Sequence, residues 1–174
     1  MKITKEWLKE KRACTDSFKY VCQHDYFGLE GVDFINKLIK EDRLGDSAWL
    51  IVRIMEYKQY VGYAVFAAEQ VIDIFEKEYP KNDMPRKAIE AAKKCINDPS
   101  DANKKAAANA AAAAYAASAA SAAPASAAAA YAAKTAYAAC VYAAADAADA
   151  DAVARKEMQL KILNYGLGLL EVNK

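Results

Sequence analysis

Residues 61–75 read VGYAVFAAEQVIDIF, and only Glu69, Gln70 and Asp73 interrupt a surface that is apolar on every side of a helix. A helix of this kind has no flank to offer to water, so it must be enclosed by other helices. The stretch sits inside a longer helix predicted over 57–78. Pro80 stops that helix, because its ring fixes φ and removes the backbone donor. One segment therefore already demands a multi-helix assembly with 61–75 near its centre.

The rest of the chain supplies the partners, and no segment alternates with period two for long enough to make a strand. Thr4 is placed to cap a short helix through Lys11, and Asp16 to cap a second over 17–23. Tyr26-Phe27-Gly28 breaks the pattern, and Gly31 opens a third helix with an apolar stripe of Phe34, Ile35, Leu38 and Ile39. Leu44-Gly45 is read as the end of this unit and Asp46 as the cap of the next helix, through Trp49, Leu50 and Ile54. After Pro80, Asn82 or Asp83 caps a further helix with Pro85 in its first turn, and Asp98-Pro99 ends it. The expected fold is all-α: one domain over 1–174, a compact helical bundle or array. It comprises N-terminal helices (1–45), central helices (46–98), then Ala-rich helices and a closing helix (99–174).

Thirty of the 45 residues from 106 to 150 are alanine. Alanine has the highest helix propensity, so this tract is predicted helical on both sides of Pro124. Methyl groups bury only about 0.8 kcal/mol per CH₂-sized unit, so such helices must pack closely, with Tyr131 and Tyr137 supplying larger buried area. Val153, Met158, Leu160, Leu163 and Leu167 then form a closing helix that docks on the core. Gly166-Leu167-Gly168 is a lone G-x-G with no strand before it, and carries no nucleotide-binding signal.

Lys and Arg total 24 against 23 for Asp and Glu. That balance argues against both a nucleic-acid groove and an acidic DNA mimic. The opening MKITKEWLKEKR has no apolar h-region, so a cytoplasmic protein without a secretory signal is expected. The uncharged run 106–133 lacks Leu, Ile, Val and Phe, which argues against a membrane span. Cys14, Cys22, Cys95 and Cys140 are scattered and His24 is the sole histidine, so neither a metal site nor a cofactor is expected. No nucleophile–base pairing is recognisable either, which argues against an enzyme.

Polar groups attached to the most apolar part of the chain mark the candidate site: Arg53, Tyr57, Lys58, Tyr60, Glu69, Gln70, Asp73, Arg86 and Lys87. Glu69 and Asp73 share a helix face at i, i+4. Arg86 and Lys87 stand in a first helical turn, where the macrodipole disfavours cations and invites an anion. Two readings stay open. Arg86 or Arg53 pairs with Glu69 or Asp73 and pins two helices together. Alternatively, these groups face a pocket walled by Tyr57, Tyr60 or Tyr63, which takes a phosphate or carboxylate from a partner.

The stretch VRIMEYKQYVGYAVFAAEQVIDIFEKEYPKNDMPRKAIEAAKKC, followed by an Ala/Tyr-rich tail, resembles the immunity proteins encoded beside bacterial polymorphic toxins and also in phage genomes. The most specific features are Ala67-Ala68-Glu69-Gln70 and Pro85-Arg86-Lys87-Ala88-Ile89, and the resemblance spans roughly residues 44–174. It implies an all-α, non-enzymatic protein that neutralises a toxin or a host defence protein by stoichiometric binding, with Glu69, Gln70 and Arg86 as matching polar positions. A sponge for a small nucleotide-like anionic signal is the alternative. A structural or assembly protein built on the Ala-rich helices is another, and a homo-oligomer stays open.

Overall fold

The computed structural model describes residues 1–70, 72–78, 80–81, 83–105 and 152–171. Among these the chain is all-α, with no strand and a single antiparallel bridge between Lys2 and Glu30. The named helices are α1 (Lys5–Glu10), α2 (Thr15–Gln23), α3 (Gly31–Lys40), α4 (Leu44–Ile54), α5 (Tyr57–Glu69), α6 (Ile72–Glu78), α7 (Met84–Asn97) and α8 (Ala152–Glu171). The expectations for the Ala-rich tract, including the burial of Tyr131 and Tyr137, fall outside the described residues.

Local chemistry sets some of the helix ends. The Thr4 hydroxyl accepts from the backbone N–H of Trp7 at 3.1 Å and caps α1 as expected. Asp83 is the N-cap of α7, with Pro85 in the first turn and Asp98 as the C-cap. Gly28, at φ 95°, takes the turn between α2 and α3 through a conformation closed to most side chains. Two caps differ from the sequence reading. Cys14, not Asp16, precedes α2, and Arg43, not Asp46, precedes α4, so both aspartates lie inside first turns. There they still complement the helix dipole, which is why sequence alone confuses the two positions. The α3–α4 break also falls earlier than Leu44-Gly45. Asp42 takes a left-handed φ of 59°, and the N–H of Arg43 donates back to the carbonyl of Leu38 at 2.9 Å.

Two clusters hold the helices. The larger contains Ile35 and Leu38 of α3, Leu50 and Ile51 of α4, Tyr63 and Ala67 of α5, and Ile162 and Leu163 of α8. Each fully buried aliphatic side chain there contributes roughly 1.5–3 kcal/mol. Val61 and Val65 of α5, Ile72 of α6, and Ile89 and Cys95 of α7 form the smaller. Helix α5 packs against both α7 and α8 and so belongs to both clusters. This supports its expected central place, with one correction. The helix predicted over 57–78 is not continuous, because α5 ends at Glu69 with Gln70 as its C-cap and α6 starts at Ile72.

The closing helix α8 docks against α3, α4 and α5. Leu163 and Leu167 are buried as expected, together with Ile162, whose side chain is fully covered. Gln59, one of two buried polar residues among those described, ties α8 to the start of α5. Its amide donates to the carbonyl of Leu169 at 2.6 Å, and its oxygen accepts from the N–H of Glu56 at 2.9 Å. Among the described residues no helix is long and apolar enough to cross a membrane.

A polar cluster closes the α2–α3 corner. Glu41 accepts hydrogen bonds from the hydroxyls of Tyr26 and of Tyr20, the latter at 2.9 Å. The Tyr26 bond, then the Tyr20 bond, hold the Glu41 carboxyl below its ordinary value of 4.5. A carboxylate whose folded pKa is depressed stabilises the fold above its unfolded pKa, and loses that contribution as pH falls through the folded value. Glu41→Gln should therefore lower the urea midpoint at neutral pH. The gap to wild type should close as both are titrated below the ordinary glutamate value. A gap that stays constant across the acid limb would remove Glu41 from this role.

Candidate functional site

The sequence-predicted site residues sort into three groups in the fold. Glu69, Asp73 and Arg86 come together along the seam where α5 runs beside α7 and side chains of α6 reach the start of α7. Arg86 donates from Nε and Nη2 to the two carboxylate oxygens of Glu76 at 2.5 and 2.6 Å, a bidentate fork. Its Nη2 also stands 3.6 Å from Asp73. Glu69 pairs with Lys93 at 2.8 Å, and Lys93 reaches Glu90 of its own helix at 3.1 Å. Lys87 turns to the N-cap of its helix and pairs with Asp83 at 2.9 Å.

The second group lies near this network. The Gln70 amide bonds the Phe66 carbonyl at 3.2 Å, closing the end of α5. Tyr60 is half-buried against the smaller cluster. Tyr57 is 45% exposed, with the ammonium of Lys104 5.5 Å above its ring, and Lys58 is exposed. Arg53 stands apart. It folds back on its own helix, bonding the Trp49 carbonyl at 2.7 Å and stacking 3.9 Å over that residue's ring. Tyr63 does not wall a shared pocket with the cations, since it is 1% exposed inside the larger cluster.

Electrostatics follows the pairing. The Arg86 bonds and charge pull the Glu76 carboxyl down, and Glu76 raises Arg86 in return. Lys93 is raised by its hydrogen bonds to Glu69 and Glu90. These side chains are nevertheless open to water: 50% for Arg86, 32% for Glu76, 41% for Lys93 and 40% for Glu69. Glu69 and Asp73, though attached to the most apolar part of the chain, are therefore not buried carboxylates. The acids sit on its outer flank, where solvent screening keeps each pair weak.

The anion opposite Arg86 is chiefly Glu76, a residue the sequence reading did not single out, as it did not single out Glu90 or Lys93. The signal was present. Glu69, Asp73 and Glu76 recur at four and three residues, and Arg86, Glu90 and Lys93 repeat that spacing on α7. Such rows line up on one helix face. Laid antiparallel, they bring Arg86 to Asp73 and Glu76, and Lys93 to Glu69. The result is a half-exposed ridge of alternating charge. Among the described residues no cluster of His, Cys, Asp and Glu is arranged to hold a metal ion.

Compared with known proteins, the chain matches no family model, no curated protein and no solved structure.

Proposed function

We propose that this chain is a non-enzymatic binder of the immunity or counter-defence type, which neutralises a toxin or host defence component by stoichiometric association. Its charged ridge on α5, α6 and α7 is the contact surface. The observation that carries this reading is the ridge itself: cations and carboxylates in register, half-exposed, on helices anchored to the core by Val61, Val65, Ile72 and Ile89. A surface with both signs of charge suits a protein partner, whose complementary pattern sets register and encounter rate. The resemblance over 52–95 points to the same segment.

The sponge reading is less well supported by the same geometry. Glu76 already occupies the Nε–Nη2 edge of Arg86, and the side chains of the ridge are half-exposed where a small-molecule site would bury its ligand. A phosphate there would compete with a bidentate carboxylate in a solvent-screened setting.

Bacteria carrying defined toxins or defence systems, with and without the chain, provide the test, read as survival or phage plating. Neutralisation should saturate near one chain per target, and titration calorimetry with the purified target should give the same ratio. Combining Arg86→Glu with Lys93→Glu should weaken neutralisation about ten-fold or more while leaving the thermal midpoint close to wild type. Protection at far less than one chain per target would overturn stoichiometric binding. A rise of several degrees in the midpoint with nucleotides alone would move the assignment to the sponge.

A further inference from the structure

A second feature lies away from the ridge, among α1, α2, α3 and α4: a half-open hollow of about 290 Å³. Its floor is apolar, formed by the buried side chains of Val21, Phe34, Leu38 and Leu50, with the half-buried ring of Trp49 at its side. Apolar hollows of this kind hold water poorly, which favours an apolar occupant. The hollow's volume lies at the small end of ligand pockets, which run from about 300 to 1,000 Å³.

The mouth is polar, and its charges are unevenly satisfied. Asp46 has both oxygens committed: one accepts from the Ser17 hydroxyl at 2.6 Å, the other from Arg43 Nε at 2.5 Å. Cys14 Sγ stands 2.9 Å from the same Ser17 hydroxyl. Arg12 is different. It lines the hollow, is exposed, and among the described residues its guanidinium has no ion-pair or hydrogen-bond partner. Lys9 adds a second cation nearby, 5.6 Å over the ring of Phe18, which is itself part of the wall.

We propose that this hollow binds a small amphiphilic anion, an apolar chain or ring ending in a carboxylate. The apolar body rests on Val21, Phe34, Leu38 and Leu50, and Arg12 receives the carboxylate. Arg43 balances the charge of Asp46 and the Ser17 hydroxyl occupies its other oxygen, so Asp46 repels the carboxylate little. The apolar floor supplies affinity and the free guanidinium supplies the preference for an anion. The site is independent of the charged ridge and lies in the N-terminal segment.

Octanoate and 1-octanol are the probes, matched in length and differing in charge. Binding is followed through Trp49 fluorescence in a Trp7→Phe background, and through the alkylation rate of Cys14 by N-ethylmaleimide, read at its peptide by mass spectrometry. Octanoate should bind saturably, with Kd below about 1 mM, and slow Cys14 alkylation. Octanol should bind at least about ten-fold more weakly. Arg12→Asn, which suits the left-handed φ of 57° at this position, should bring octanoate down to the level of octanol. Gly45→Leu should block the hollow without unfolding the chain, since a side chain there meets nothing within 4 Å of its Cβ. No saturable octanoate binding, equal affinity for the alcohol, or binding that survives Gly45→Leu would each overturn the proposal.

Discussion

Replacing Gly166 by leucine is expected to destabilise the protein by about 3 kcal/mol or more, the upper range for overpacking a filled core. The reason is local. A Cβ on Gly166 would stand 2.7 Å from Cε2 of Tyr63 and 2.7 Å from Cδ1 of Ile51. The isoleucine methyl can swing aside, but the Tyr63 ring is 1% exposed and held in the larger cluster. Helix α8 would have to lift from α4 and α5, releasing the cover over Ile162 and Leu163. Gly168 is the matched control, because its Cβ would meet nothing within 4 Å. Gly168→Ala should raise stability by up to about 1 kcal/mol through helix propensity alone. Urea unfolding of the two variants beside wild type separates the effects. A Gly166→Leu protein with an unchanged midpoint would mean that α8 does not dock as described.

Ala67→Asp should lower stability by about 4 kcal/mol or more, a large share of the roughly 5–15 kcal/mol available to a domain. Ala67 is fully buried in α5, and a carboxylate there is desolvated without a cation to pair it. The adjacent Phe66 provides the contrast. It is half-buried and stacks at 3.9 Å on Tyr165, which is itself 37% exposed, so an aspartate at position 66 reaches water. Phe66→Asp should lose the ring contact and leave the protein folded, with a loss well below that of Ala67→Asp. Thermal scans of both variants decide the orientation of α5. Equal losses at 66 and 67 would show that the helix is enclosed all round, as its composition alone suggested.

That contrast shows where sequence reasoning ran out. All-round apolar character placed 61–75 in the interior, and α5 does serve both clusters. Composition could not say which flank stays wet, because alanine and phenylalanine are both apolar whether or not a neighbour covers them. Nor did it show that the helix ends at Glu69 and restarts at Ile72, since no proline or glycine marks the junction. The candidate site was legible in the same partial way. Arg86, Glu69 and Asp73 were identified by mismatch with their surroundings, while Glu76 and Lys93 needed the antiparallel pairing of α7 to become visible. Arg53 was grouped with them by composition, and its position on α4 separates it.

What the sequence determined by itself is whatever depends on near neighbours along the chain: the helical class, the Thr4 cap, the α7 cap to within Asn82 or Asp83, the turn at Gly28, and the buried Leu163 and Leu167. Spacings of three and four residues and one backbone conformation suffice for these. The tertiary structure alone decided what depends on distant surfaces meeting. Gly166 reads as half of an uninformative G-x-G until the Tyr63 ring arrives from another helix and leaves no room for a Cβ. Arg12 reads as one more surface cation until α1 to α4 close round a hollow beside it. Both depend on packing between segments far apart in sequence, and a local residue pattern carries no record of which surfaces will meet.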